Sequence, residues 1–237
     1  MPAWTCVSLS PGNALVCLMT ANNHTKPLFI IGGTFDPIHF GHLRMAVEVQ
    51  ERFPEAEVAF LPCGQPGHRE PPIATAWQRL AMVQRALEHF PGFTLLTDEL
   101  DGPGPHYTVA TATRLRQRYP NRAIVWVIGN DASGGIHRWR GAEQLPSLIH
   151  LLCCLRPNYP IPTAEGFNRV QCALLTTRPY GQMAWLELPA LDISSTLIRE
   201  RVKMGRNILG LAPESVCHYI EHYQIYRQTE PTGNQRN

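Results

Sequence analysis

The stretch Leu28–Leu43, LFIIGGTFDPIHFGHL, constrains the fold more than any other part of the chain. Its first four residues, Leu28–Ile31, form a short apolar run that is typical of a buried parallel strand. Gly32 and Gly33 come next, and they let the backbone turn sharply where a side chain would block a ligand. Asp36-Pro37 continues the turn, so the stretch predicts a strand that ends at a ligand-sized gap.

A helix is expected to begin at Gly41 or His42 and to end at Phe53, because apolar residues repeat at helical spacing between them. The free N–H groups of its first turn favour an anion, and His39 and His42 add two further donors. Strand, glycine turn, H-x-G-H and helix in this order predict a site for nucleotide phosphates. A structural glycine turn with two surface histidines is the alternative, and it accounts less well for this spacing and context.

The composition is that of one globular domain with a sizeable core: 237 residues, 44% hydrophobic and 17% charged. A formal net charge of +2 is too small for a general nucleic-acid or membrane surface, which disfavours an RNA-binding module. The seven cysteines form no C-x-x-C pair. Cys153 and Cys154 lie in an apolar run and are interpreted as reduced core residues of a cytoplasmic protein.

Residues 1–25 are predicted to be a disordered extension, 26–228 a single domain, and 229–237 a flexible tail. Ala14–Met19 is apolar, but no basic segment precedes it and no small-residue cleavage site follows, so a signal peptide is not expected. No apolar run approaches the length of a membrane span.

Apolar runs alternate with helical patterns along the rest of the chain. Thr75-x-x-Gln78 resembles a capping box, Thr108 is expected to cap a helix that ends near Tyr119, and Pro213 is expected to open a last helix that ends near His222. The alternation predicts a Rossmann-like, doubly wound parallel α/β sheet with helices on both faces. Its strands are expected at Leu28–Ile31, Val58–Leu61, Phe93–Leu96, Ala123–Ile128, His150–Leu155 and Ala184–Leu188.

Two further segments carry ligand-binding chemistry. Gly129-Asn130-Asp131 places a carboxylate at the carboxyl end of a predicted strand, where open α/β sheets bind ligands. Asp192–Arg199, DISSTLIR, is a helix start with hydroxyl caps and a guanidinium one turn later, which suits phosphate oxygens. A structural cap would explain the serines alone, but not their occurrence beside a GTFDPIHFGH stretch.

Together these motifs resemble a known family. H-x-G-H after a strand and glycine turn is similar to the nucleotidyltransferase superfamily related to class I aminoacyl-tRNA synthetases. Its pairing with ISSTLIR closely resembles the bacterial nicotinate-nucleotide adenylyltransferases, which join nicotinate mononucleotide to ATP on the way to NAD. The resemblance runs from Lys26 to Arg227.

The resemblance implies a catalytic role for His39, His42 and Arg199, and it implies Mg²⁺ bound with ATP, with no protein residue assigned to a metal. The implied ATP site consists of Gly32, Gly33, Thr34, Phe35, His39, His42, Gly129, Asp131, Ile193, Ser194, Ser195 and Arg199. The implied nicotinate mononucleotide site consists of His68, Arg69, Tyr107, Thr108, Trp139 and Arg156.

Three positions depart from the family pattern. Gly67 stands where a second proline is usual, His106 where serine precedes the Tyr-Thr pair, and Asn130 is unusual inside its turn. These departures lie in or beside the acceptor pocket, so they bear on the choice of acceptor more than on adenylyl transfer.

Other functions remain open from the sequence. Another transferase of the superfamily, such as the pantetheine-phosphate enzyme, would leave Tyr107, Thr108 and Trp139 without a task. A nucleotide sensor without turnover is opposed by the intact His39, His42 and Arg199. His218–His222 spells H-x-x-E-H, a zinc-peptidase pattern, but an amphipathic terminal helix explains it better because no third ligand follows.

Overall fold

The computed structural model describes residues 26–67, 70–100, 104–129, 135–155, 161–189 and 191–227. The predicted extension, 1–25, and the predicted tail, 229–237, therefore lie outside the described residues. The strands are β1 Leu28–Gly33, β2 Glu57–Pro62, β3 Phe93–Leu95, β4 Ile124–Gly129, β5 His150–Leu155, β6 Asn168–Arg169 and β7 Gln182–Glu187. The α-helices are α1 Phe40–Arg52, α2 Ala76–Leu87, α3 Thr108–Arg118, α4 Ser195–Lys203 and α5 Glu214–His222.

The seven strands form one sheet in the order β3-β2-β1-β4-β5-β7-β6, and every pairing in it is parallel. From β1 the chain proceeds to one side through β2 and β3, and then returns to β4 and proceeds to the other side. The strand order therefore reverses between β1 and β4. In open parallel sheets, the crevice at the carboxyl ends of such a strand pair is where ligands bind.

Both faces of the sheet are covered, because successive strand residues point to opposite sides. Phe29 and Ile31 of β1 pack with helices α1, α2, α4 and α5, whereas Leu28 and Ile30 pack with α3 and the segment 136–149. Residues on both faces are almost fully buried. The strands are apolar on both sides because helices cover both faces of this parallel sheet.

The fold class and all six predicted strands are confirmed, with ends that shift by up to two residues. Two local predictions are wrong. Gly32 and Gly33 are the last residues of β1 and not part of the turn, since β2 continues to pair with them. Thr108 is the first residue of α3, and Tyr107 occupies the capping position.

Some elements were not predicted because they are too short to show a period. They include the edge strand β6, which has two residues, and the 3₁₀ turns at 136–138, 142–147 and 172–174. The capping box of α2 is confirmed, with the Gln78 N–H donating to Thr75 Oγ1 at 3.2 Å. No helix among the described residues is long and apolar enough to cross a membrane.

Candidate active site

The turn that follows β1 begins at Thr34 and is shaped by an aromatic side chain. Phe35 has a φ of 51°, in the left-handed region, and its ring is buried against His42 with ring centroids 5.0 Å apart. A Cβ atom on Gly33 would lie 2.9 Å from the Phe35 ring. Glycine is therefore required at this position so that the buried ring can approach the backbone.

The two histidines of H-x-G-H are stacked on one another at the start of α1. His39 is the N-cap, and its backbone N–H donates to His42 Nδ1 at 3.3 Å. The ring centroids are 3.8 Å apart with an interplanar angle of 29°. His39 Nδ1 is buried and has no hydrogen-bond partner among the described residues. A buried polar atom left without a partner marks a place where a ligand can bind.

Burial controls the charge of this pair. Desolvation lowers the pKa of His39 to about 4, and it lowers the pKa of His42 well below the ordinary value, with a smaller contribution from the neighbouring His39. Both rings are consequently neutral near pH 7 when no anion is present. A polyphosphate beside them would favour the charged form and raise both pKa values.

Helix α4 begins directly against this turn. Ser195 Oγ donates to the Pro37 carbonyl oxygen at 2.8 Å, and Arg199 Nη1 donates to the Asp36 carbonyl oxygen at 2.8 Å. The Ser194 hydroxyl caps α4 by accepting from the Leu197 N–H at 3.1 Å. The two phosphate-type motifs, more than 150 residues apart in sequence, are thus neighbours, and each presents the start of a helix.

Asp36 connects the turn to three other segments. Its carboxylate accepts from the backbone N–H groups of Ile73 and Ala74, each at 3.0 Å, and from the Tyr226 hydroxyl at 2.7 Å. Arg199 lies 3.9 Å from the same carboxylate. Burial and the adjacent Asp36 raise the pKa of Tyr226, so the hydroxyl keeps its proton and remains the donor.

Arg79 joins the turn after β1 to the loop after β2. It is 1% exposed, and its Nη1 donates to the carbonyl oxygens of Thr34 and Cys63, both at 2.6 Å. Its Nη2 donates to the Gly64 carbonyl oxygen at 2.6 Å. Because a buried guanidinium needs several acceptors, this side chain holds the two loops at one separation.

The described residues expected to contact the acceptor lie at the start of α3 and on the segment that follows β4. The Arg140 guanidinium lies 4.8 Å from the centre of the Tyr107 ring, which places the segment 139–141 against the start of α3. Trp139 is half-buried and packs on the core beneath this segment. Tyr107, Thr108 and Trp139 are therefore brought to the same part of the molecule as the loop after β2.

The departures at Gly67 and His106 are related in space. A Cβ atom on Gly67 would lie 2.4 Å from Tyr107 Cε1, so the Tyr107 ring occupies the place that a side chain at residue 67 would take. His106 is bonded to the same loop through Gln65. The third departure, Asn130, lies outside the described residues.

Several other predicted site residues also lie outside the described residues: His68, Arg69, Asp131 and Arg156. Gly129 ends β4, beside β1 in the sheet, and Ile193 presents its carbonyl oxygen toward Gly41. Of the predicted set, the structure thus joins the phosphate residues into one site and the described acceptor residues into an adjoining one.

Three groups beside the turn were not predicted from the sequence, namely Arg79, Tyr226 and the carboxylate of Asp36. Arg79 had a detectable signal, because it shares a helix face with Val83 and Ala86, and a charge inside an apolar stripe needs buried partners. Asp36 and Tyr226 had no such signal, since 190 residues separate them.

The H-x-x-E-H pattern is part of α5. His218 lies 3.6 Å from Glu214 on the exposed surface. Among the residues that the structure describes, no group of three or more His, Cys, Asp or Glu side chains is placed to hold a metal ion.

Comparison with known proteins identifies the family of the chain. Residues 30–201 match the family described as cytidylyltransferase-like. A probable nicotinate-nucleotide adenylyltransferase of Methylococcus capsulatus is 38% identical over 205 residues, which cover 83% of this chain and 98% of that protein. One from Desulfatibacillum aliphaticivorans is 40% identical over 216 residues, covering 84% of this chain and 99% of that protein.

Solved structures show the same fold. The nicotinic acid mononucleotide adenylyltransferase of Plasmodium falciparum, complexed with NaAD, matches with a TM-score of 0.67 at 18% identity and covers 85% of this chain and 97% of that one. From the identity and coverage of its relatives, the chain belongs to the nicotinate-nucleotide adenylyltransferase family.

Proposed function

We propose that this protein transfers the adenylyl group of ATP to nicotinate mononucleotide, giving deamido-NAD and pyrophosphate for NAD biosynthesis. The observation that carries the proposal is the contact between the turn that holds the stacked histidines and the start of α4. Two helix starts and a guanidinium meet there, at the carboxyl end of β1, beside which the strand order reverses. This is the chemistry that a triphosphate requires.

In this proposal His42 and the backbone near Thr34 contact the α-phosphate, while His39, Ser195 and Arg199 hold the β- and γ-phosphates. Gly32, Gly33, Phe35, Ile193 and Ser194 shape the same pocket. Gly129 and Asp131 bind the adenosine. For Asp131, and for His68, Arg69 and Arg156 on the acceptor side, the assignment depends on the family resemblance.

The proposed reaction needs no covalent enzyme intermediate. A phosphate oxygen of the mononucleotide attacks the α-phosphorus, and the bond from that phosphorus to the bridging oxygen of the β-phosphate breaks, releasing pyrophosphate. A phosphate monoester is already an anionic nucleophile, so no activating base is required. Catalysis then consists of positioning and of charge stabilisation by the histidines, which become cationic beside the triphosphate.

Mg²⁺ is proposed to enter with ATP, held by the triphosphate oxygens. Asp36 is the carboxylate of the turn from Thr34 to His39, which we call the phosphate turn. It already accepts hydrogen bonds from two backbone N–H groups and the Tyr226 hydroxyl. The helix-start N–H groups and the Arg199 guanidinium are donors, which suit phosphate oxygens and not a cation. Bound in this way, the metal would neutralise charge on the transferring group.

Selection of the acceptor is proposed to depend on the start of α3. Nicotinate and nicotinamide differ only in carboxylate against carboxamide, so a selective pocket must offer donors alone. The backbone N–H groups around Tyr107 and Thr108 are such donors, and Trp139 is proposed to stack on the pyridine ring. A pocket of donors leaves the amide NH₂ facing another donor.

The test is pyrophosphate release from ATP with a panel of acceptors: nicotinate mononucleotide, nicotinamide mononucleotide and phosphopantetheine. We expect kcat/KM to be at least ~10²-fold higher for nicotinate mononucleotide than for the amide. Equal efficiencies for the two mononucleotides would refute the pocket argument. Turnover of phosphopantetheine alone would refute the proposed function.

A cytoplasmic location is also proposed. Five cysteines, at positions 63, 153, 154, 172 and 217, form no disulfide among the described residues. Burial raises the pKa of the Cys153 thiol to about 12, so this thiol is unreactive at neutral pH. Free buried thiols are typical of a reducing compartment. The partners proposed are the two nucleotide substrates, without nucleic acid or membrane.

A further inference from the structure

We propose that His106 is a positioning residue, which holds the loop after β2 against the start of α3 and thereby shapes the acceptor-binding surface. We call this contact the clasp, and define it by Gln65, Gly67, His106 and Tyr107. The inference depends on the proposed function, because it concerns the acceptor of that reaction.

The clasp satisfies both backbone groups of one loop residue. The Gln65 N–H donates to His106 Nδ1 at 3.2 Å, and the His106 N–H donates to the Gln65 carbonyl oxygen at 2.8 Å. Pro66 and His106 form an isolated parallel bridge at the same place. A ring nitrogen that accepts a hydrogen bond carries no proton, so the neutral His106 ring has its proton on Nε2.

Glycine allows the loop to approach the two rings closely. A Cβ atom on Gly64 would collide with the Glu99 carbonyl oxygen and would also lie 3.0 Å from His106 Cε1, and one on Gly67 would collide with Tyr107 Cε1. Arg140 lies over the Tyr107 ring at 4.8 Å from its centre. The position of Tyr107 is therefore set by the loop after β2 as well as by α3.

The same loop is held at its other end by a different residue. Arg79 binds the carbonyl oxygens of Cys63 and Gly64, together with that of Thr34 in the phosphate turn. The first part of the loop thus moves with the phosphate site, and the second part with α3. Loss of the His106 hydrogen bond should free only the second part, which weakens acceptor binding and leaves ATP binding intact.

The experiment compares His106→Leu, which removes the acceptor for the Gln65 N–H, with His106→Asn, whose side-chain oxygen can accept the same bond. His218→Leu, on the exposed surface of α5, is the matched control. KM is measured for nicotinate mononucleotide at saturating ATP and for ATP at saturating mononucleotide. Hydrogen–deuterium exchange of the Gln65 amide is followed by NMR in the same variants.

We expect His106→Leu to raise the KM for the mononucleotide about tenfold, with kcat and the KM for ATP changed less than about threefold. Exchange of the Gln65 amide should be at least ~10-fold faster, because an unbonded amide exchanges from the native state. His106→Asn should restore both quantities to within about threefold of the wild type, and Gly67→Ala should raise the mononucleotide KM as His106→Leu does.

An unchanged mononucleotide KM in His106→Leu would overturn the proposal, and so would a His106→Asn variant as impaired as His106→Leu. A wild-type protein without activity on ATP and nicotinate mononucleotide would instead refute the proposed function. Amide exchange would still decide the clasp in that case, since it needs no substrate.

Discussion

At the scale of single residues, the phosphate turn holds basic groups that are uncharged until an anion arrives. Burial keeps the pKa of His39 at about 4 and that of His42 well below normal, so the free turn has no cationic repulsion between stacked rings. We expect a bound triphosphate to raise both pKa values, because the charged rings would then lie beside an anion. We infer that binding of ATP is accompanied by proton uptake at this pair.

The first prediction at this scale concerns His42. His42→Ala should lower kcat by about 10²–10³ with a smaller change in substrate KM, because the lost group stabilises charge that develops in the transition state. His42→Asn is the matched variant. In the wild type, His42 Nδ1 accepts from the His39 N–H at 3.3 Å. The asparagine side-chain oxygen can accept the same hydrogen bond, but it cannot gain a proton.

The two variants separate charge from local structure. If charge is what matters, kcat in His42→Asn should fall nearly as far as in His42→Ala, while His89→Ala, at an exposed position after α2, keeps full activity. Single-turnover pyrophosphate release measures the chemical step directly. A fully active His42→Ala enzyme would end the proposed mechanism.

At the scale of elements, α4 contributes to the site through its amino-terminal turn and through one face. Arg199 points to the turn after β1, where it donates to the Asp36 carbonyl oxygen at 2.8 Å and lies 3.9 Å from the Asp36 carboxylate. Arg201, on the same helix, donates instead to the Asn207 carbonyl oxygen at 2.8 Å. Arg199 and Arg201 thus point to different sides of α4, and of these two only Arg199 reaches the turn.

This difference predicts unequal effects of the same substitution. Arg199→Lys should lower kcat/KM for ATP by about tenfold, because an ammonium group cannot bond the turn and reach phosphate oxygens with the planar fork of a guanidinium. Arg201→Lys should leave kcat/KM within about twofold of the wild type. Steady-state kinetics with varied ATP measures both values of kcat/KM. If Arg199→Lys were as active as Arg201→Lys, charge alone would be needed at residue 199.

At the scale of the whole molecule, buried neutral histidines link stability to pH. His150 is the first residue of β5, so it lies at the amino ends of the strands, whereas the crevice lies at their carboxyl ends. Its Nδ1 accepts from the Gln182 N–H at 3.2 Å. Burial lowers its pKa to about 4. Because the unfolded chain then binds more protons than the folded one between about pH 6.5 and 4, stability is lost as pH falls through that window.

The loss attributable to His150 is about 2 kcal/mol between pH 7 and pH 5, from a folded pKa near 4 and an unfolded pKa of about 6.5. Urea unfolding at several pH values measures it. We expect His150→Gln to be less stable at pH 7, but its free energy of unfolding should fall less steeply on acidification than that of the wild type. Identical slopes would contradict the assignment.

Local patterns were sufficient to predict the architecture of the sheet, and they also predict where a phosphate site lies. A buried strand, a glycine pair and a helix start are encoded within about fifteen consecutive residues, and the strand and helix periods do not depend on distant partners. His39, His42, Ser195 and Arg199 were identified in this way. The end of β1 was not, because Gly32 and Gly33 continue to pair with β2, and pairing is a non-local property.

The sequence by itself determined the parallel sheet and predicts helix starts that suit an anion, since both follow from residue spacing within single segments. Only the tertiary structure decided how the segments meet. Arg79 finds its acceptors in Thr34, Cys63 and Gly64, and Asp36 finds its donor in Tyr226, 190 residues away. The physical reason is that a buried polar group must be paired, and its partner depends on which distant segments pack together.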